Sequence, residues 1–297
     1  MERNIFEVLC YLEKNGKKKY SVREISDSVM ISGDIVLKCI DFVLKNGLIE
    51  KEEDMLSISE KGLAFLEPFR VKKAVVLAAG FGSRMMPATA DRPKPLVSVN
   101  GTRIIDTLID ALLTVGITDI VIVRGYKKEK FIELYEKYPF IRYIDNDKYE
   151  LENNISSVIA ALDEIHNCYL CEADLYISNP AVIKKYQYSS NILGSYSLET
   201  DDWSFRMKDG YICDYQKGNT YCYNYYGISY WTKEDSDKLC KDWTDIYSTN
   251  KNVFWEEVPL ILKKDNYKVE IRQCNKQDIM EIDNYYELAQ IDSAYRK

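Results

Sequence analysis

Histidine is nearly missing from this chain: His166 stands alone among 297 residues. It ends a helix-like run and reads as a last-turn or surface residue, so chemistry falls to other side chains. A second cysteine pair at zinc spacing is also missing. The eight cysteines are scattered, which excludes a disulfide framework. Cys168 and Cys171 form a Cys-x-x-Cys inside a strand-like run, and alternation sends residues three apart to opposite faces. Both read as core thiols. No excess of basic residues exists: 40 Lys and Arg face 47 Asp and Glu, a net charge of −7. That excludes broad nucleic-acid binding through bulk charge and leaves anionic substrates to local cations. No apolar run approaches the ~20 residues that cross a membrane as a helix. The first residues lack the basic-then-apolar order of a signal peptide, so the cytoplasm is the expected compartment and no membrane partner is expected. Repeats and low-complexity segments are absent too. What remains, 46% hydrophobic and 29% charged, is globular and long enough for two domains.

The most informative stretch runs from Lys73 to Val97. Ala74 to Ala79 is apolar without alternation, as in a strand buried on both faces. A loop follows with Gly80 and Gly82 two apart, then Ser83 and Arg84. Glycines let backbone N–H groups approach a polyphosphate closely, and arginine adds a forked charge. Lys94 sits between Pro93 and Pro95, which stiffen the backbone around one cation. Two better-known phosphate loops do not fit. A Walker loop needs Gly-Lys-Ser/Thr, and Ser83-Arg84 follows Gly82. A dinucleotide fingerprint needs a third glycine, and Met85 stands there.

From Lys72 the pattern alternates. Strands are expected at Ala74–Ala79, Asp119–Val123, Phe140–Ile144 and Cys168–Ala173. Helices are expected at Thr102–Val115, Lys128–Lys137 and Ile155–Ile165. This is an α/β, Rossmann-like domain over 71–297, with a mostly parallel sheet. Beyond about Asn191, short aromatic-rich strands and a helix at Glu256–Lys264 are expected to build the far side of the cleft. Residues 1–70 read as a separate module, with helices near Ile5–Leu12, after Ser21 and over Gly33–Asn46. A hairpin and a helix at Glu60–Leu66 follow. That order resembles a winged helix-turn-helix of the MarR-like kind. Its third helix has no arginine, and residues 1–70 hold 11 basic against 13 acidic groups. A structural or homodimer-forming role is therefore weighed equally with DNA binding, which stays open.

Chemistry on a polyphosphate needs neutralised phosphates, a positioned second reactant and a metal. Glu172-Ala-Asp174 ends a buried strand with both carboxylates on one side, and Glu281-Ile-Asp283 repeats the spacing. Such carboxylates suit Mg²⁺. Fifteen of the 60 residues from 196 to 255 are aromatic, against 22 of the other 237. That concentration suits a quaternary ammonium, which aromatic faces and carboxylates hold. Trp203 beside Asp202 and Trp255 beside Glu256 are such combinations.

The motif Leu77-Ala78-Ala79-Gly80-x-Gly82-x-Arg84, followed by Pro87, Thr89, Pro93-Lys94 and Leu96, resembles the signature of the sugar-phosphate nucleotidyltransferase superfamily. Asn146-Asp147-Lys148-Tyr149, Asn153-Asn154, Ser156-Ser157, Trp203, Phe254-Trp255-Glu256 and Glu281-Ile-Asp283 resemble bacterial CTP:phosphocholine cytidylyltransferases of the LicC type. The resemblance runs from about Lys73 to Ile291 and leaves the N-terminal module outside. It implies a transfer of CMP from CTP to phosphocholine. Leu77, Ala78, Ala79, Gly80, Gly82, Ser83, Asn154 and Ser156 would then bind nucleotide, with Arg84 and Lys94 on the reacting phosphates. Asp174 and Asp283 would hold Mg²⁺, and Trp203, Asp202, Phe254, Trp255, Glu256 and Glu281 the acceptor. Phosphoethanolamine, 2-aminoethylphosphonate or a sugar 1-phosphate as acceptor, UTP as donor, and a nucleotide-sensing regulator stay as alternatives.

Overall fold

Capped helical segments in the first quarter and apolar strands beyond it build two units in the computed structural model, which describes residues 1–14, 18–29 and 31–296. Unit 1 comprises Met1–Arg70 with Tyr186–Tyr188, and unit 2 comprises Val71–Lys185 with Ser189–Lys297.

In unit 1, helices α1 (Glu2–Glu13), α2 (Val22–Ser28) and α3 (Gly33–Lys45) precede strands β1 (Ile49–Glu52) and β2 (Met55–Ile58) and helix α4 (Glu60–Leu66). Ser21 and Glu24 form the expected capping box: the Glu24 amide donates to Ser21 Oγ, and the Ser21 amide to Glu24 Oε2. Gly47, at φ +68°, ends α3 in the left-handed region that glycine adopts without steric cost. Ile5, Val8, Leu9 and Leu12 of α1 meet Val36, Cys39, Ile40 and Val43 of α3 in one core.

Unit 2 is built on a seven-stranded sheet. Its chain order begins with β3 (Lys73–Ala78), a short β4 (Ser98–Val99) and β5 (Thr102–Arg103), helix α5 (Ile104–Thr114), β6 (Asp119–Arg124) and β7 (Arg142–Asp145). Helix α6 (Ile155–Ala160), β8 (Cys168–Glu172) and β9 (Leu175–Ile177) follow, then β10 (Asn191–Lys208), β11 (Tyr211–Trp231) and α7 (Lys233–Thr249). β12 (Glu270–Gln273), β13 (Ile279–Glu281) and α8 (Tyr285–Ile291) complete it. The order across the large sheet is β12-β10-β11-β8-β3-β6-β7. β3 runs parallel to both β6 and β8, which pairs both its edges, while Ala74, Val76 and Ala78 pack into one core and Val75 and Leu77 into the other, so that both faces are buried. Cys168 and Cys171 are wholly buried core thiols, and burial pushes the Cys168 thiol up to about 12. His166 is exposed, 3.3 Å from Asp237.

Several expected elements differ. The helix expected over Lys128–Lys137 is a 3₁₀ run, Lys128–Leu134, because its buried residues Phe131 and Leu134 lie three apart. The helix expected over Ile155–Ile165 breaks at Ala161, leaving α6 and a 3₁₀ turn at Leu162–Glu164. The expected short strands after Asn191 are two long ones, β10 and β11. Register shifts around Thr200 to Arg206 bend the pairing without ending it. Glu256–Lys264 is not an α-helix. Pro259 has no N–H to donate, and the Lys263 amide reaches back five residues to Val258 O at 2.8 Å. Helix α7 escaped sequence reading, since its buried stripe is thin (Leu239 and Trp243) within a strongly charged segment. No helix among the described residues is long and apolar enough to cross a membrane.

Candidate active site

β3 ends at Ala78, and the glycine loop leaves its carboxyl end. Gly82 stands at φ +61°, and a Cβ there would lie 2.7 Å from Lys94 Cβ and 3.3 Å from Thr89 Cγ2. Glycine at 82 therefore both makes the turn and admits Lys94. Thr89 Oγ1 donates to Gly82 O at 3.0 Å and ties the loop to the segment that carries Lys94. Pro93 is extended (ψ 152°), and Lys94–Leu96 forms a 3₁₀ turn with Pro95 in its first turn. The lysine is thus held on a stiff backbone. It is only 6% exposed.

Lys94 Nζ donates to Asp174 Oδ2 at 3.0 Å and lies 3.5 Å from Asp283 Oδ1. Burial alone would lower this ammonium. The carboxylates of Asp174 and Asp283 outweigh that effect and hold it above its usual range. Arg84 reaches Asp283 from the outside, with Nη2 3.2 Å from Oδ1. Lys94, Arg84, Asp174 and Asp283 are therefore brought together by tertiary structure from positions up to 199 residues apart. Asp174 lies two residues beyond β8, and Asp283 two residues beyond β13, which pairs antiparallel with β9.

The expected carboxylates form a denser cluster than their spacing implied. Asp202, Glu281 and Asp283 offer oxygens that lie within 4.8 Å of one another. Asp174 Oδ1 is buried with no hydrogen-bond partner. Burial, then Asp174, Asp283 and Asp202, push the Glu281 carboxyl up to about 8. A hard divalent cation with oxygen ligands fits this set: it would neutralise oxygens that otherwise repel. Asp202 was expected on the acceptor, and it stands instead among these carboxylates.

Glu172 and Glu256 form a second, buried acidic cluster. Trp255 Nε1 donates to Glu172 Oε1 at 3.4 Å, and Tyr215 OH donates to Glu256 Oε1 at 3.4 Å. Burial, then Glu256, raises the Glu172 carboxyl far above its usual range. Burial also lifts Glu256 to about 7. A Cβ on Gly227 would lie 2.4 Å from Glu172 Oε2, so glycine at 227 makes room for that carboxylate. Glu256 Oε2 and Tyr225 OH are buried and unpartnered. Trp203 stacks on Tyr215 at 4.9 Å and meets Phe254 edge-on at 6.2 Å. Tyr225 meets Tyr215 at 5.5 Å. Trp255 does not join this aromatic wall as expected. Its ring is fully buried against Trp243, and it offers Glu172 an N–H instead of a face. Sequence reading passed over Tyr215 and Tyr225 individually, although their strand alternation within an aromatic-rich segment was a usable signal.

Asn154 Oδ1 accepts the Trp255 amide at 2.8 Å, and so joins the Trp255 segment to the start of α6. Ser156 is buried, its Oγ donating to Asn153 O at 2.8 Å and accepting from Asn146 Nδ2 at 3.0 Å. Both were expected on the nucleotide; in the structure they also tie down the loop before α6, and the Asn154 side chain hydrogen-bonds the Glu256 carboxyl.

Residues 74–187 match the MobA-like NTP transferase domain. Over 232 residues the chain is 38% identical to 2-aminoethylphosphonate cytidylyltransferase of Lancefieldella rimae, covering 75% of this chain and 92% of that protein. The chain belongs to this nucleotidyltransferase family. It is 31% identical to choline-phosphate cytidylyltransferase of Streptococcus pneumoniae, over 74% of this chain and 96% of that one. The solved structure of CTP:phosphocholine cytidylyltransferase from Streptococcus pneumoniae superposes with a TM-score of 0.69. That match has 29% identity and covers 76% of this chain and all of that one. The chain is thus a nucleotidyltransferase of the cytidylyltransferase branch, with that branch's α/β fold.

Proposed function

We propose that this enzyme transfers CMP from CTP to a small acceptor with a phosphonate or phosphate at one end and a primary ammonium at the other. 2-Aminoethylphosphonate is the acceptor that fits best. The observation that carries this is the pair of buried, unpartnered oxygens, Glu256 Oε2 and Tyr225 OH, beside the Glu172 carboxylate. An ammonium with N–H groups satisfies such acceptors, whereas leaving them unpaired is costly. The relative that acts on 2-aminoethylphosphonate supports the same reading. Phosphocholine, the acceptor expected from the sequence, is the second reading, favoured by the Trp203–Tyr215–Phe254 wall.

In this mechanism an acceptor oxygen attacks the α-phosphorus of CTP, the bond to the β-phosphate oxygen breaks, and pyrophosphate leaves with that electron pair. The acceptor is already an anion, so no protein nucleophile is required. The Gly80–Ser83 backbone and Arg84 hold the outer phosphates. Lys94 places a fixed positive charge where charge develops on the α-phosphate. Asp174 and Asp283, with Asp202 or Glu281, would hold Mg²⁺, which when bound neutralises phosphate oxygens. Trp203 and Tyr215 orient the acceptor.

Pyrophosphate release measured with CTP or UTP against 2-aminoethylphosphonate, phosphoethanolamine, phosphocholine and glucose 1-phosphate tests this. We expect the highest kcat/KM with CTP and a primary-ammonium acceptor. Preference for phosphocholine would establish the second reading, and turnover only with the sugar phosphate would refute both.

For unit 1, a winged helix-turn-helix is supported by its order of elements. The outward residues of α3 include Asp34, Lys38, Asp41 and Lys45 beside exposed Ile35, Leu37 and Phe42. That balanced, partly apolar face favours a structural role, a homodimer contact included, over DNA reading. Sub-micromolar, salt-sensitive retention of one DNA sequence by the full chain would reverse this.

A further inference from the structure

Helix α3 buries Val36, Cys39, Ile40 and Val43 in the core of unit 1 and leaves its opposite face open. At 3.6 residues per turn, Asp34, Lys38, Asp41 and Lys45 fall on one stripe along the middle of that face, and all four are exposed. Ile35 and Phe42, two turns apart, border the stripe on one edge, each 40% exposed. Among the described residues, no ion pair within the chain engages any of the four charged groups. Asp34 in the first turn and Lys45 in the last complement the helix dipole. That leaves Lys38 and Asp41, at mid-helix, unexplained.

The order of charges accounts for them. Along α3 the stripe reads acidic, basic, acidic, basic, with spacings of four, three and four residues. Turned end for end, it reads basic, acidic, basic, acidic at the same spacing. A second α3 laid antiparallel therefore meets opposite charge at every position, whereas an in-register parallel one meets like charge. Asp34 faces Lys45 of the second copy, and Lys38 faces its Asp41. Each pair occurs twice, about a two-fold axis between residues 39 and 40. The same rotation keeps like edges together, so Ile35 comes beside Phe42 of the second copy.

We propose that α3 is a self-association surface, packed antiparallel on α3 of a second copy of this chain. This rests on the structural reading of unit 1 above, and gives the open face of its third helix to protein rather than to DNA. The 13 residues of α3 span about 20 Å, so the contact is small for a stable interface. Its dimer belongs in the micromolar range, held by the two Ile35–Phe42 contacts and given its direction by the ion pairs.

The test is sedimentation equilibrium of the full chain. The wild type is expected in a monomer–dimer equilibrium at micromolar concentration. Asp41→Lys sets lysine against Lys38 at both symmetric contacts and should raise the dimer dissociation constant by roughly tenfold or more. Adding Lys38→Asp to that variant restores opposite charges in the antiparallel arrangement and should bring the constant back near the wild-type value. This rescue separates the contact from any folding defect of the single variant. Phe42→Ala should weaken the dimer by a similar factor through the apolar edge. A wild type that stays monomeric up to about 100 μM overturns the proposal. If that monomer retains no DNA, the structural reading of unit 1 stands without it; sub-micromolar retention of one DNA sequence overturns both. A dimer that neither Asp41→Lys nor Phe42→Ala weakens also overturns the proposal, because association then uses another face. Failure of the double substitution to restore association overturns the antiparallel pairing.

Discussion

Lys94 is the residue on which the site turns. It is buried, it touches two carboxylates that arrive from distant segments, and Gly82 exists in its present form to admit it. Lys94→Ala should reduce kcat by at least about a hundredfold, as removing one preorganised charge from a developing anion does; near-normal turnover in a pyrophosphate-release assay would remove the residue from the mechanism. Glu256 carries a pH signature. Its folded value of about 7 lies above the ordinary 4.5, so the folded state holds its proton more tightly than the unfolded one. Stability from this group is full below about 4.5 and is lost as pH rises through about 7. Ammonium binding runs the other way, because only the ionised carboxylate attracts it. The acceptor KM should therefore fall as pH rises through about 7, and Glu256→Gln should flatten that profile. A profile unchanged by Glu256→Gln would detach the residue from the acceptor.

Elements show where sequence patterns suffice and where they fail. The capping box of Ser21 and Glu24 and the stop at Gly47 were legible because they act within a few residues. The bends in β10 and the widened turn at Val258–Leu262 were not, since a register shift is defined only against the partner strand and a five-residue backbone bond only by the folded turn. Gly62 is another case. In sequence it is an unremarked glycine inside α4, whose ordinary effect is to weaken a helix. In the fold, a Cβ there would lie 2.1 Å from Leu48 O and 2.8 Å from Ile58 Cγ1. Gly62→Ala should consequently destabilise unit 1, by about 1–3 kcal/mol as overpacking does, despite alanine's better helix propensity. Thermal unfolding followed by circular dichroism checks the sign: a raised midpoint would refute the contact.

At the scale of the molecule, the two units have separate cores but are not separate in sequence. Tyr186 and Tyr188 belong with unit 1, where Tyr188 stacks on Phe69 at 5.4 Å and packs against Phe6. A fragment beginning at Val71 keeps Lys94, Asp174, Asp283 and the proposed acceptor residues and should retain CTP-dependent turnover. It also strips Tyr188 of its ring partners Phe6 and Phe69, and Tyr186 of its apolar neighbours in unit 1, so its melting midpoint should fall relative to the full chain. Loss of turnover in a folded fragment would give unit 1 a part in the chemistry.

The sequence by itself determined the phosphate loop, the alternation that makes an α/β sheet and the residue types of the site. These are local: a buried strand, two glycines, a stiffened lysine and carboxylates at strand ends are written in consecutive residues. Only tertiary structure decided that Asp202 joins Glu281 and Asp283, and that Trp255 turns inward to serve Glu172. It likewise left Tyr225 OH and Glu256 Oε2 buried without a hydrogen-bond partner. The reason is that strand bulges and chain crossings set those distances, and a pattern of residue types carries no measure of which distant side chains share one small volume of low dielectric, where pairing and protonation are settled.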